Sequence, residues 1–225
     1  MKERITLKIE VVNVSQSEEK FELGKNLVQE GEFDKAESVL KKVIKLNPKN
    51  AEAHFWLGVA FFNKEEYKRA IFVLTKCISL APDNYKAYGL RGYNHYELFE
   101  LDRAISDYTK AIELNPDDVI SYNNRGLAHE KNGEYELALE DYTKAIELEP
   151  NEVSGYYNLG NIYLKLAEYE KALAEYDRAL EMSNDEWLTS CIKMNRETAE
   201  RLLLKGERKV WGRTPVNIRF RCGKD

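Results

Sequence analysis

Along most of the chain, apolar residues return every three or four positions, pause for a short polar break, and return again. The stretch YYNLGNIYLKL at 156–166 has this helical period. At 132–135 a break, NGEY, leads into ELALEDYTKAIEL at 136–148, a second helical pattern. A proline then closes the pair, because proline cannot continue a helix and biases its predecessor away from helical geometry. The pattern predicts helix–turn–helix units from about residue 17 to residue 186.

The units share one length. DYTKAIELNP ends at Pro116 and DYTKAIELEP at Pro150, thirty-four residues apart, and Pro48 and Pro82 continue the series backwards. Five units follow: 17–50, 51–84, 85–118, 119–152 and 153–186. The eighth place is always glycine (Gly24, Gly58, Gly92, Gly126, Gly160), the twentieth always alanine (Ala36, Ala70, Ala104, Ala138, Ala172), and the sixteenth always glutamate. A glycine inside a helix costs roughly 0.5–1 kcal/mol relative to alanine, so five cost about 2.5–5 kcal/mol. Close approach of paired helices, glycine on one and alanine on the other, is the expected compensation.

These features resemble the tetratricopeptide repeat, whose thirty-four residues follow large–x2–Leu-Gly–x2–Tyr, Ala–x3–large, Pro. The fifth unit shows the pattern as Tyr156, Leu159, Gly160, Tyr163, Ala172 and Tyr176. The second shows it as His54, Leu57, Gly58, Phe61, Ala70, Leu74 and Pro82. Lys20, Arg91, Arg125 and Asn184 depart from it. The resemblance covers 17–186 and implies an all-α, right-handed superhelical solenoid. Such arrays need capped ends. SNDEWLTSCIKMNRETAERLLLKG supplies one: a capping helix over 187–205, with capping-box spacing from Ser183 to Glu186 and a stop near Gly206. The remaining segments, 1–16 and the basic tail 206–225, contain alternating apolar residues that read as short strands: Ile5, Leu7, Ile9 and Val11, then Val216, Ile218, Phe220 and Cys222.

Charge is unevenly spread. The net charge is −5, but residues 205–225 carry seven Lys/Arg against two acids, leaving −10 on residues 1–204. That balance opposes phosphate along the repeats and confines any contact with RNA or an anionic surface to the tail. Three scattered cysteines, Cys77, Cys191 and Cys222, give no disulfide framework. The opening MKERITLKIEVVNV lacks the apolar core of a signal peptide, and no apolar run is long enough to span a membrane, so a cytoplasmic protein is expected.

No phosphate loop, nucleophile elbow or metal-ligand spacing is present, so no enzyme, cofactor or metal is expected. His54, His95 and His129 each occupy a signature place and read as packing residues. The resemblance implies binding in a concave groove lined by the second, fifth, sixth, ninth, twelfth and thirteenth residues of each first helix. Its N-terminal half would offer Phe21, Phe55, Trp56, Val59, Phe62, Leu90, Tyr93 and Tyr96. Its C-terminal half would offer Asn123, Asn124, Asn158 and Asn161, amides able to pair with the backbone of an extended segment. The carboxylate clamp with which some members hold acidic chaperone tails needs lysine and asparagine at places five and nine. Phe21 and Lys25 stand there, and later registers do no better. The expected function is a non-enzymatic adaptor for a partner peptide or helix. A scaffold self-assembling through its strand-like ends is the alternative.

Overall fold

The structure, a computed structural model, describes residues 17–206. Among them every regular element is helical: α1 (17–29), α2 (Phe33–Leu46), α3 (Ala51–Asn63), α4 (Tyr67–Leu80), α5 (Tyr85–Glu97), α6 (Leu101–Leu114), α7 (Val119–Asn132), α8 (Tyr135–Leu148), α9 (Val153–Lys165), α10 (Tyr169–Met182) and α11 (Glu186–Leu204). The strand readings at both ends lie outside the described residues. Contacts divide the chain at Ser121/Tyr122 into two units. In the first, α3 packs on α2 and α4, and α5 on α4 and α6; in the second, α9 packs on α8 and α10, and α11 on α10 and α9.

The turn chemistry explains the period. Asn50 and Asn84 end their periods and cap α3 and α5, their side-chain oxygens accepting from the amides of Ala53 (2.9 Å) and Ala87 (3.1 Å). Inside each period, the amide of the sixteenth-place glutamate donates to the carbonyl of the eleventh residue: Glu32 to Leu27 at 2.8 Å, Glu66 to Phe61 and Glu100 to His95 at 2.9 Å. This wide closure requires a left-handed residue at place fifteen. Gly31 (φ 78°) and Gly133 (φ 81°) supply it, whereas Glu65 (φ 58°), Phe99 (φ 58°) and Ala167 (φ 60°) adopt it against their Cβ. The left-handed region costs an L-residue about 1–2 kcal/mol. Because the Glu65 side chain is exposed, Glu65→Gly should raise stability by about 0.5–1 kcal/mol after the entropic cost of glycine. A higher urea midpoint at unchanged slope would register it.

Each glycine at place eight meets the residue at place twenty-four rather than the expected alanine. A Cβ would lie 2.7 Å from Leu40 at Gly24 and 2.7 Å from Leu74 at Gly58. It would lie 3.0 Å from Tyr108 at Gly92, 2.8 Å from Tyr142 at Gly126 and 2.6 Å from Tyr176 at Gly160. These five large residues are fully buried, and so are the alanines at place twenty. The core is thus a stack of large side chains laid across glycine backbones, with alanine admitting the second helix beside them.

Asp185, not Ser183, caps α11: its carboxylate accepts from the Leu188 amide at 2.7 Å, while the Ser183 hydroxyl accepts from Thr189 at 2.9 Å. Gly206 (φ 61°) follows the helix. Cys77 is buried, with its thiol pushed up to about 11 by that burial.

Candidate functional site

In the first unit the candidate surface is built on α3 and α5. The α3 sequence, AEAHFWLGVAFFN, is apolar nearly all round, whereas a surface helix keeps only one apolar stripe. One side is consumed by the core, where Leu57, Ala60 and Phe61 are buried. The other side carries Phe55, Trp56, Val59 and Phe62, all half-buried. Phe55, Trp56, Val59 and the α5 residue Leu90 rest against the core cluster. Phe55 meets Trp56 edge-on at 5.8 Å, and the Lys25 ammonium stands 6.0 Å from the Trp56 ring. Further along, Phe62 meets Tyr93 edge-on at 5.2 Å, and Tyr93 lies 6.4 Å from Tyr96. Burial and the Glu97 carboxylate push the Tyr93 phenol up to about 12, so it remains a hydrogen-bond donor. Phe21 differs from the rest: at 9% exposure it belongs to the core.

In the second unit, Asn123 and Asn124 are half-buried on α7 and Asn158 half-buried on α9. The Asn123 carboxamide oxygen is buried without a hydrogen-bond donor. Asn161 is committed elsewhere. It is 7% exposed, and its oxygen accepts from the Tyr176 hydroxyl at 2.8 Å and from the Asn195 amide at 2.9 Å. Asn195 also donates to the Tyr157 hydroxyl at 3.1 Å. Asn161 therefore ties α9, α10 and α11 together, and the expectation that it faces a partner is corrected.

Two polar networks replace apolar packing in the third and fourth repeats. Arg91 grips Asp107 with two bonds, 2.8 and 2.6 Å, and Arg125 grips Asp141 at 2.9 and 2.6 Å. Both aspartates are buried. His95 Nδ1 is bonded to Glu100 at 2.6 Å and His129 Nδ1 to Glu134 at 2.7 Å, interactions that hold both glutamates below their usual range. Both histidines are buried within these networks. The departures Arg91 and Arg125 thus have structural partners. The signal was in the sequence: arginine, histidine and aspartate recur together at one spacing, in the same two units.

Between the first two repeats, Lys64 contacts Asp34, Glu37 and Glu66 at 2.7, 2.8 and 3.2 Å, and Arg69 contacts Glu37 at 2.5 Å. Burial raises the Glu37 pKa, but bonds from Lys41, Lys64 and Arg69 outweigh it and bring the carboxyl to about 2. Among the described residues no helix is long and apolar enough to cross a membrane.

Models of the tetratricopeptide repeat match residues 21–85, 119–152 and 141–174, and a model described as TPR repeat matches 92–133. The chain belongs to the tetratricopeptide repeat family. Among solved structures it is similar to MamA, with 30% identity over 71% of this chain and 93% of that one, at a TM-score of 0.68. YrrB, described as a TPR protein with an unusual peptide-binding site, shares 23% identity and a TM-score of 0.68 over 81% of this chain and 91% of its own. Pseudomonas aeruginosa pilF shares 22% and 0.70 over 89% and 95%. No curated protein matches the chain in sequence.

Proposed function

We propose that the protein is a non-enzymatic interaction module that holds an apolar segment of a protein partner on the first-helix surface of α3 and α5. The observation that carries the reading is the set of half-exposed rings on α3 and α5: Trp56 edge-on to Phe55, and Tyr93 beside both Phe62 and Tyr96. Rigid aromatics present large contact area at low entropic cost, and they dominate binding energy where they cluster. The family's role in protein association supports the reading, as does the peptide-binding site named for the similarly folded YrrB. In the second unit Asn124 and Asn158 would align the backbone of the same kind of segment.

The test is affinity enrichment from native lysate with quantitative mass spectrometry, comparing wild type with Trp56→Ala/Tyr93→Ala after circular dichroism confirms equal helicity. A specific partner should be enriched by wild type and fall at least ~10-fold with the variant. Equal recovery by both proteins would remove this surface from the function.

A further inference from the structure

The five repeats provide an internal comparison, and one helix breaks their rule on a face that the fold leaves open. At the eighteenth place, in the first turn of each second helix, four repeats carry an acid: Asp34, Asp102, Glu136 and Glu170. An acid there is favoured by the partial positive charge of the helix N-terminus. The second repeat places Lys68 at this position, and α4 has no acidic residue in its first turn. Four residues on, the other repeats have Ser38, Ser106, Glu140 and Ala174, whereas the second has Phe72, 77% exposed. Four residues further stands Lys76. Its counterparts Lys110 and Lys144 pair with Glu113 at 2.8 Å and Glu147 at 3.1 Å, but in the second repeat that acid is replaced by Ser79.

Lys68, Phe72 and Lys76 are four apart and form one stripe on α4. No ion pair involves either lysine among the described residues, and α4 contains no carboxylate at all, in a chain of net charge −5. The stripe borders a cavity of about 770 Å³ whose apolar wall includes Ile44, Leu57 and Ile71. A volume of this size accommodates several apolar side chains or a short ligand. Lysine in the first turn weakens the helix, and an exposed phenylalanine contributes little to the core. Departures from local preference that coincide on one stripe, without a folding gain, mark a functional surface.

We propose that this α4 face is a second docking site, distinct from the first-helix surface, for a partner segment that alternates apolar and acidic side chains. An apolar side chain of the partner would enter the cavity beside Phe72, and carboxylates on either side of it would meet Lys68 and Lys76. The charge pattern selects this occupant: cations at both ends of an apolar centre match an apolar residue bracketed by acids.

The experiment uses the full chain and a fluorescein-labelled peptide made of two copies of Glu-Glu-Leu-Phe-Glu-Glu-Leu, read by fluorescence anisotropy. A counterpart with lysine in place of every glutamate serves as control. Lys68→Asp and Phe72→Ser install residues that other repeats already carry, so both variants fold. Each should weaken binding at least ~10-fold, and Lys68→Asp should at the same time raise the melting temperature. Trp56→Ala should leave this affinity within about twofold of wild type, since it alters a different surface. The proposal is overturned if the acidic peptide does not bind, if the lysine peptide binds as well, or if Lys68→Asp and Phe72→Ser bind like wild type. Displacement of the peptide by sodium laurate, with laurate binding lost in Phe72→Ser, would reassign the cavity to acyl chains. Loss of binding in Trp56→Ala alone would place the peptide on the first-helix surface, rejecting the α4 site while leaving the proposed function intact.

Discussion

Gly160→Ala should destabilise the protein by about 2–3 kcal/mol, a large loss for adding one methyl group. The new Cβ would stand 2.6 Å from Cε1 and 2.8 Å from Cδ1 of Tyr176. That ring cannot yield cheaply. It is fully buried, its hydroxyl donates to Asn161 at 2.8 Å, and its face lies 6.3 Å from the Tyr157 ring. Moving it would strain the bond that joins α10 to α9 and disturb the Asn161–Asn195 contact that seats α11. Gly58→Ala tests the cause. There the added Cβ meets Leu74 Cδ2 and Cγ at 2.7 Å, and a leucine can shift its rotamer where a clamped tyrosine cannot. A smaller loss, about 1 kcal/mol, is expected. Tyr176→Leu in the Gly160→Ala background should recover part of the loss, because it recreates the contact of Gly58→Ala, an added Cβ against a leucine that can shift its rotamer. Urea unfolding of the four proteins measures the series. If Gly160→Ala matched wild type within about 0.5 kcal/mol, close approach would not be what retains glycine at this place.

The repeat period made much of the fold legible. Proline, glycine and alanine recur at fixed places because each answers a backbone or packing demand that every unit shares, and the helix pairs follow those places. What the period could not disclose is which side chain answers another across the turn. Glycine at place eight suggested the alanine at place twenty, but the large residue at place twenty-four is the one that lies over it. The site readings show the same limit. A groove place assigned from the repeat says where a residue stands on its helix, not what neighbouring helices do to it. Phe21 is drawn into the core of the first unit. Asn161 is claimed by Asn195, thirty-four residues later, so α11 stands in the register of a first helix. That correspondence was visible as a spacing, but the absence of a Leu-Gly pair in the capping segment concealed it. The α4 stripe is the reverse case. Lys68 and Phe72 are conspicuous only when the repeats are compared with one another, and their meaning needs the exposure and the cavity beside them.

Arg91→Leu should cost about 3–5 kcal/mol, although leucine is the residue the second repeat carries at the same place, as Leu57. The cost comes from what the substitution leaves behind. Asp107 is 6% exposed, and its carboxylate is held by two bonds from Arg91, with His95 Nε2 at 3.9 Å as the next cation-capable neighbour. Removing the guanidinium strands a buried charge and also cuts the 3.1 Å bond from Arg91 to Thr75, which joins the third repeat to α4. Asp107→Val alone leaves Arg91 better off than that, because its side chain retains partial access to solvent. The double variant Arg91→Leu/Asp107→Val restores the apolar pair that the second repeat makes with Leu57 and Val73, both buried. It should fall within about 1 kcal/mol of wild type, since a well-packed apolar pair commonly equals a buried ion pair in stability. The cycle therefore predicts a coupling of at least about 2–4 kcal/mol between the two positions, larger by whatever Asp107→Val costs alone. Additive losses would mean that the two residues do not act as a unit and that His95 or Thr75 carries the interaction instead. A recovered double variant would show that folding does not require charge at this place. The recurrence of the same pair at Arg125 and Asp141 would then have to be explained by specificity, with each buried charge accepting only its own partner and so opposing a slipped helix pairing.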